Sequence, residues 1–270
     1  MKYEKVKVAR QKIDRCSICL KKSTLTWDHI PPKGGIELKS VDQETVFQRM
    51  TVKNSEKKFK SISQNGVKYR TLCSDCNNNW LGAKFDPILN DFSLGIGKIL
   101  ETTIEIPNKF SFETRPTALM RAVLGHLLAS KATIDEVVFD KDIRDCFFDK
   151  NMPIPETINM FYWIYPYQNI TIMRDFVLPA VRGNFDSLGI FSILKYYPIA
   201  YMICNLKKYE DLNEMTQFRS LSTDDTALVP IDLSKIRHAL WPEATEQGNF
   251  MVGGAALESS VHATPRVKKK

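Results

Sequence analysis

Apolar and polar residues alternate at period two in the early part of the chain, and this alternation predicts two half-buried strands. One is Val67-Lys68-Tyr69-Arg70-Thr71-Leu72, entered through the turn pair Asn65-Gly66. The other is Leu25-Thr26-Trp27-Asp28-His29-Ile30, rich in β-formers and stopped by Pro31-Pro32. A short helix is expected over residues 77–85, opened by Asn and carrying Trp80, Leu81 and Phe85. Residues 33–63 are polar and lysine-rich and read as a loop or short helix. Further on, residues 88–100 read as helical and residues 107–115 as a linker. Residues 117–130 are apolar on almost every side, which marks a buried helix and makes His126 a core histidine rather than a ligand. Residues 135–149 predict an amphipathic helix. Four runs rich in Ile, Phe, Tyr and Val (160–167, 170–177, 191–197 and 199–206), joined by short turns, predict an antiparallel sheet.

The fold class expected is therefore α+β. A small module over residues 1–90 precedes an α+β domain with a mainly antiparallel sheet over residues 91–247, and residues 248–270 read as a flexible basic tail.

Composition is that of a soluble globular chain, 43% apolar and 26% charged, and no run of about 18 apolar residues occurs. The first residues lack the apolar stretch of a secretory signal, so a cytoplasmic protein with no membrane contact is expected. Charge is unevenly spread. Residues 1–85 hold 18 Lys and Arg against 8 Asp and Glu, a net +10 within a chain whose total is +7. The front module is thus suited to a polyanion and the remainder is not.

Two cysteine pairs, Cys16-Ser17-Ile18-Cys19 and Cys73-Ser74-Asp75-Cys76, flank the first strand and the approach to the second. In a reducing compartment such pairs are more often metal ligands than disulfides, and two C-x-x-C turns supply the four thiolates of a closed structural Zn2+ site. The 53 residues between the pairs exceed a usual zinc finger, so a fold element must be inserted there. Cys146 and Cys204 read as ordinary buried thiols. Between the pairs stand Asp28 and His29. An imidazole is suited to deprotonating water near neutral pH and a carboxylate to a hard divalent cation. Neighbours on a strand face opposite sides, so both serve one site only where the strand breaks, and Pro31-Pro32 is expected to supply that break. Arg70 is suited to gripping a phosphate bidentately. Trp27 and Trp80 are expected to pack a small core around the metal rather than to stack on bases.

The run Cys16-x-x-Cys19, Asp28-His29-Ile30-Pro31-Pro32 and Leu72-Cys73-x-x-Cys76-Asn77-Asn78 resembles the HNH endonuclease family, over roughly residues 12–86. The resemblance implies a small ββα-metal core braced by a four-cysteine zinc. It also implies His29 as general base, Asp28 and Asn77 as ligands of a catalytic Mg2+ or Mn2+, and DNA as substrate. The family's orienting asparagine has no clear counterpart, the candidates being Asn65, Tyr69 and Arg70. Lys33, Lys53, Lys57, Lys58 and Arg70 are the expected nucleic-acid contacts. The second domain is expected to mediate recognition, homodimerisation or control by a ligand or protein, and a role in defence or in a phage is expected by analogy. The alternative is a zinc-ribbon nucleic-acid-binding protein without catalysis.

Overall fold

The structure, a computed structural model, describes residues 5–37, 39–51, 60–102, 105–181, 184–209, 212–243, 252–254 and 256–266. It is a mixture of helices and mainly antiparallel sheets. The strands β1 (Ile13–Arg15) and β2 (Lys22–His29) form a hairpin around the first cysteine pair. The polar stretch that follows holds more structure than its composition suggests: β3 (Val41–Thr45) runs into the short helix α1 (Val46–Thr51), and β4 (Ser61–Ser63) pairs back onto β3. β5 (Lys68–Cys73) then lies antiparallel to β2, giving the order β1-β2-β5. The helix expected after Cys76 is a π-helical segment, Asp75–Phe85, which passes directly into α2 (Asp86–Leu100). Pro87 stands in the first turn of α2, next to the junction with the π-helical segment.

The linker expected at residues 107–115 is instead the strand β6 (Lys109–Thr114). Phe110 and Phe112 alternate there with exposed polar residues, and Phe112 meets Phe92 edge-on at 5.5 Å. α3 (Pro116–Ala129) is buried along its whole length, as its unbroken apolar pattern requires. α4 (Asp140–Phe147) starts later than the periodicity suggests, because Asp140 is drawn fully inside by Arg174 at 2.6 Å and by Lys131. The sheet strands β7 (Asn159–Ile164), β8 (Ile170–Val181), β9 (Asn184–Tyr196) and β10 (Ile199–Cys204) then pair antiparallel as expected. Three more follow: β11 (Asn213–Glu214), β12 (Ala227–Asp232), which pairs with β6, and β13 (Val252–Gly253).

The last strand corrects the expectation of a loose tail. β14 (Val261–Pro265) sits between β8 and β3, paired on both edges, in the sheet order β11-β7-β10-β9-β8-β14-β3-β4. Backbone pairing on both sides orders a short segment that its own composition would leave loose. Both faces of β7 and β10 are covered, which explains why these strands read as continuous apolar runs rather than alternating ones. Met160, Tyr162 and Ile164 of β7 join the core that includes α2 and α3, whereas Phe161 and Trp163 join a second cluster closed by Trp241.

The division expected near residue 90 falls inside α2. One apolar cluster runs from Cys16 and Ile18 through Leu119 and Val123 to Val261 and Ala263. Tyr69 of β5 is fully buried and donates its hydroxyl to the Ser259 carbonyl at 2.6 Å. The front strands are therefore fastened to the end of the chain. Among the described residues no helix is long and apolar enough to cross a membrane.

Candidate catalytic strand and cysteine cluster

The cysteine pairs converge. Cys16 and Cys19 occupy the turn between β1 and β2, Cys73 ends β5, and Cys76 opens the π-helical segment; their four sulfurs lie within 4.8 Å of one another. The Cys19 and Cys73 sulfurs are 3.8 Å apart. Metal–sulfur bonds of about 2.3 Å in a tetrahedron give an edge of about 3.8 Å, so the donor set could hold a structural metal such as zinc. A hydrogen bond with Cys76 holds the Cys16 thiol down at about 5, the same contact pushes Cys76 up, and burial pushes Cys19 up to about 11. Two guanidinium groups brace the turn: Arg10 donates to Ser17 Oγ at 2.6 Å and to the Thr71 carbonyl at 2.7 Å, and Arg144 of α4 donates to the Ser17 carbonyl at 2.9 Å. Their charge offsets that of neighbouring thiolates. An open groove of about 1070 Å³ runs along this cluster past Leu20, Trp80 and Phe148, without including Asp28 or His29. Trp80 packs on Phe148 and Phe147.

The register of β2 against β5 decides what Asp28 and His29 face. Trp27 stands opposite Arg70, Asp28 opposite Tyr69, and His29 opposite Lys68, with a bulge that leaves Thr71 unpaired. Directly opposed residues share a face, so Trp27, His29, Lys68 and Arg70 make one surface and Asp28 and Tyr69 the other. On the outer face Trp27 is 44% exposed, with the Arg70 guanidinium 5.3 Å and the Lys68 ammonium 5.6 Å from its ring centre. Its expected place in a core around the metal is thus corrected, because the bulge and two cations hold the indole outward. Arg70 also donates to the Arg10 carbonyl at 2.8 Å.

His29 lies at the end of this outer face. Burial, with Lys33 and Lys68 nearby, lowers its pKa to about 4, opposed by a hydrogen bond with the Asn65 backbone. Of the three candidates for an orienting residue, Asn65 touches His29 through its main chain. The His29 ring is an uncharged base at neutral pH, and its Nε2 is buried with no hydrogen-bond partner among the described residues.

Asp28 points the other way. It is 4% exposed, and its Oδ2 lies 3.1 Å from Nδ1 of the fully buried His126 on α3. The other ring nitrogen of His126 lies 2.9 Å from Oδ1 of Asp86, where the π-helical segment meets α2. Burial alone would pull the imidazolium down, but the carboxylates of Asp86 and Asp28 outweigh it and lift His126 to about 10. With both ring nitrogens facing carboxylates, the charged form satisfies both contacts. Since this pKa is raised from its ordinary 6.5, the stabilisation is complete below about pH 6.5 and is lost as pH rises towards 10. The melting temperature of the wild type is accordingly expected to exceed that of His126→Gln most near pH 6, with the gap closing by pH 10. Parallel thermal melts across that range check this, and a constant gap would contradict it.

The break at Pro31-Pro32 comes too late to bring Asp28 and His29 to one side, since β2 stays regular through His29. Asn77 does not join them: its amide donates to Thr26 Oγ1 at 2.9 Å and to the Trp27 carbonyl at 3.1 Å, pinning β2 across the bulge. Lys33 is exposed close to His29. Lys53, Lys57 and Lys58 lie outside the described residues. His126 is the core histidine expected, whereas its partner Asp86, and Lys68 opposite His29, left no local pattern. One signal for His126 was present: a titratable ring on a helix buried on every side must find polar partners. Comparisons of the chain with protein-family models, with curated proteins and with solved structures found no match.

Proposed function

We propose that this chain is a nuclease of the HNH type, hydrolysing phosphodiester bonds in DNA with His29 as general base. The observation that supports this most is the placing of His29 on one face with Lys68 and Arg70, its buried Nε2 without a hydrogen-bond partner among the described residues. Burial lowers its basicity most, and the two cations that add to this, Lys33 and Lys68, are those that would meet a phosphate. A bound diester would offset their charge, raising the basicity of His29 as the substrate arrives. His29 then accepts a proton from the water that attacks phosphorus. Lys68 and Arg70, with Trp27, offer the backbone a cationic and aromatic edge. The four cysteines hold a structural Zn2+ that pins the hairpin against the π-helical segment.

A catalytic Mg2+ or Mn2+ would polarise the phosphate and stabilise the leaving oxygen. Asp28 and Asn77 do not fit that ion as the chain holds them, since the Asp28 carboxylate is engaged by His126 and the Asn77 amide by β2. That same engagement favours the second reading, a zinc-braced DNA-binding protein without catalysis. Plasmid nicking by the wild type and by His29→Ala separates the two, because a binder retains DNA without cutting it.

DNA contact has its own test. Lys68→Ala is expected to weaken binding alike for all sequences and to reduce the slope of log affinity against log salt by about one. Fluorescence anisotropy at several salt concentrations measures this, and an unchanged slope would remove Lys68 from the interface.

A further inference from the structure

The buried Asp28 carboxylate, the fully buried His126 imidazole and the partly exposed Asp86 carboxylate form a continuous chain through three elements far apart in sequence. Asp28 is 4% exposed, its Oδ2 is taken by His126 at 3.1 Å, and it faces away from the surface that carries His29, Lys68 and Arg70. Asp28 also immediately precedes His29 on β2, so whatever fixes Asp28 fixes the backbone that carries His29. On this basis we infer that Asp28 serves His126 and not a divalent ion. The chain Asp28–His126–Asp86 positions the end of β2, and with it His29, from α3.

Asp28 and His126 are thus positioning residues, and α3 belongs to the site although it lies outside the segment that carries the cysteine pairs. The groups facing His126 are Asp28 from β2 and Asp86 from the start of α2; Tyr196 of β9 lies near Asp86 and donates or accepts a hydrogen bond with Ser93 at 3.0 Å. The inference rests on the nuclease reading only in taking His29 as the base whose rate is followed.

The experiment compares the full chain with Asp28→Asn, His126→Gln and the double variant. Nicking rates are measured against DNA and Mn2+ concentration, Mn2+ binding by electron paramagnetic resonance with the metal alone, and unfolding by thermal melts. Each single variant is expected to lower kcat by about 100-fold, the scale of a base displaced by roughly 1 Å, with KM for DNA and the Mn2+ dependence unchanged. The double variant should be no slower than either single one, since all three break one linkage. An increased Mn2+ requirement or weakened Mn2+ binding in Asp28→Asn, with His126→Gln unaffected, would make Asp28 an ion ligand and overturn the inference. Wild-type kcat in both single variants would overturn it equally. If the wild type fails to cut with every divalent ion tried, the nuclease reading fails alone. The linkage is then judged from the melts, where additive destabilisation by Asp28→Asn and His126→Gln would refute it. Should either variant not fold, Asp86→Asn leaves the Asp28 contact intact. It is expected to lower kcat without changing the Mn2+ dependence, and full activity in it would be contrary.

Discussion

A Cys73→Ser chain is expected to lose its zinc and its fold together. Cys73 ends β5, its sulfur lies 3.8 Å from that of Cys19, and it accepts the Cys76 backbone N–H at 3.5 Å as the chain turns into the π-helical segment. The cluster is part of the continuous core: Cys16, Cys73 and Cys76 are buried in the same apolar group as Leu72 and Leu81. Structural zinc contributes an apparent 10–16 kcal/mol in small zinc domains, roughly as much as the whole stability of a typical chain, about 5–15 kcal/mol. The loss should therefore be global and not confined to the hairpin, given that no core boundary separates the cluster from α3. Elemental analysis should find about one zinc per wild-type chain and far less in the variant, and circular dichroism should show its cooperative melt lowered or absent. Wild-type zinc content and melting in Cys73→Ser would rule out a structural four-cysteine site.

His29→Ala should show the opposite pattern, a large loss of activity with little loss of stability. His29 sits at a strand end, only partly buried, held by a contact with the Asn65 backbone, and its Nε2 has no partner to orphan. Removing it leaves no buried charge behind. The expected stability change is therefore small, within about 1 kcal/mol. Loss of a general base, by contrast, lowers the rate by about 100- to 10,000-fold. Asp28→Asn and His126→Gln should instead affect melting and rate together, because the Asp28–His126 contact lies wholly inside. That contrast separates a group acting on substrate from groups that hold it in place.

Local patterns were the legible part of this molecule. The spacing within each cysteine pair, the period-two run of β5 and the proline stop after β2 are encoded within a few residues, and the structure holds each of them. What lay beyond reach depends on partners distant in the chain. Asp28 and His126 are 98 positions apart, and within an all-apolar helix a histidine reads as core until its partner is known. β14 reads as tail because its order comes from β8 and β3, and β6 as linker because its strand partner is the distant β12. The register bulge opposite Trp27, which turns the indole outward, depends on how two strands align and leaves no mark in either alone.

The proposed chemistry is tested most directly by plasmid nicking with the intact zinc-loaded chain in Mg2+ or Mn2+, wild type beside a His29→Ala variant shown to melt at the same temperature. Conversion of supercoiled plasmid to nicked circles by the wild type, slowed at least about 100-fold in the variant, is the predicted result. Equal cutting by the two proteins, or no cutting by the wild type with any divalent ion, would contradict it.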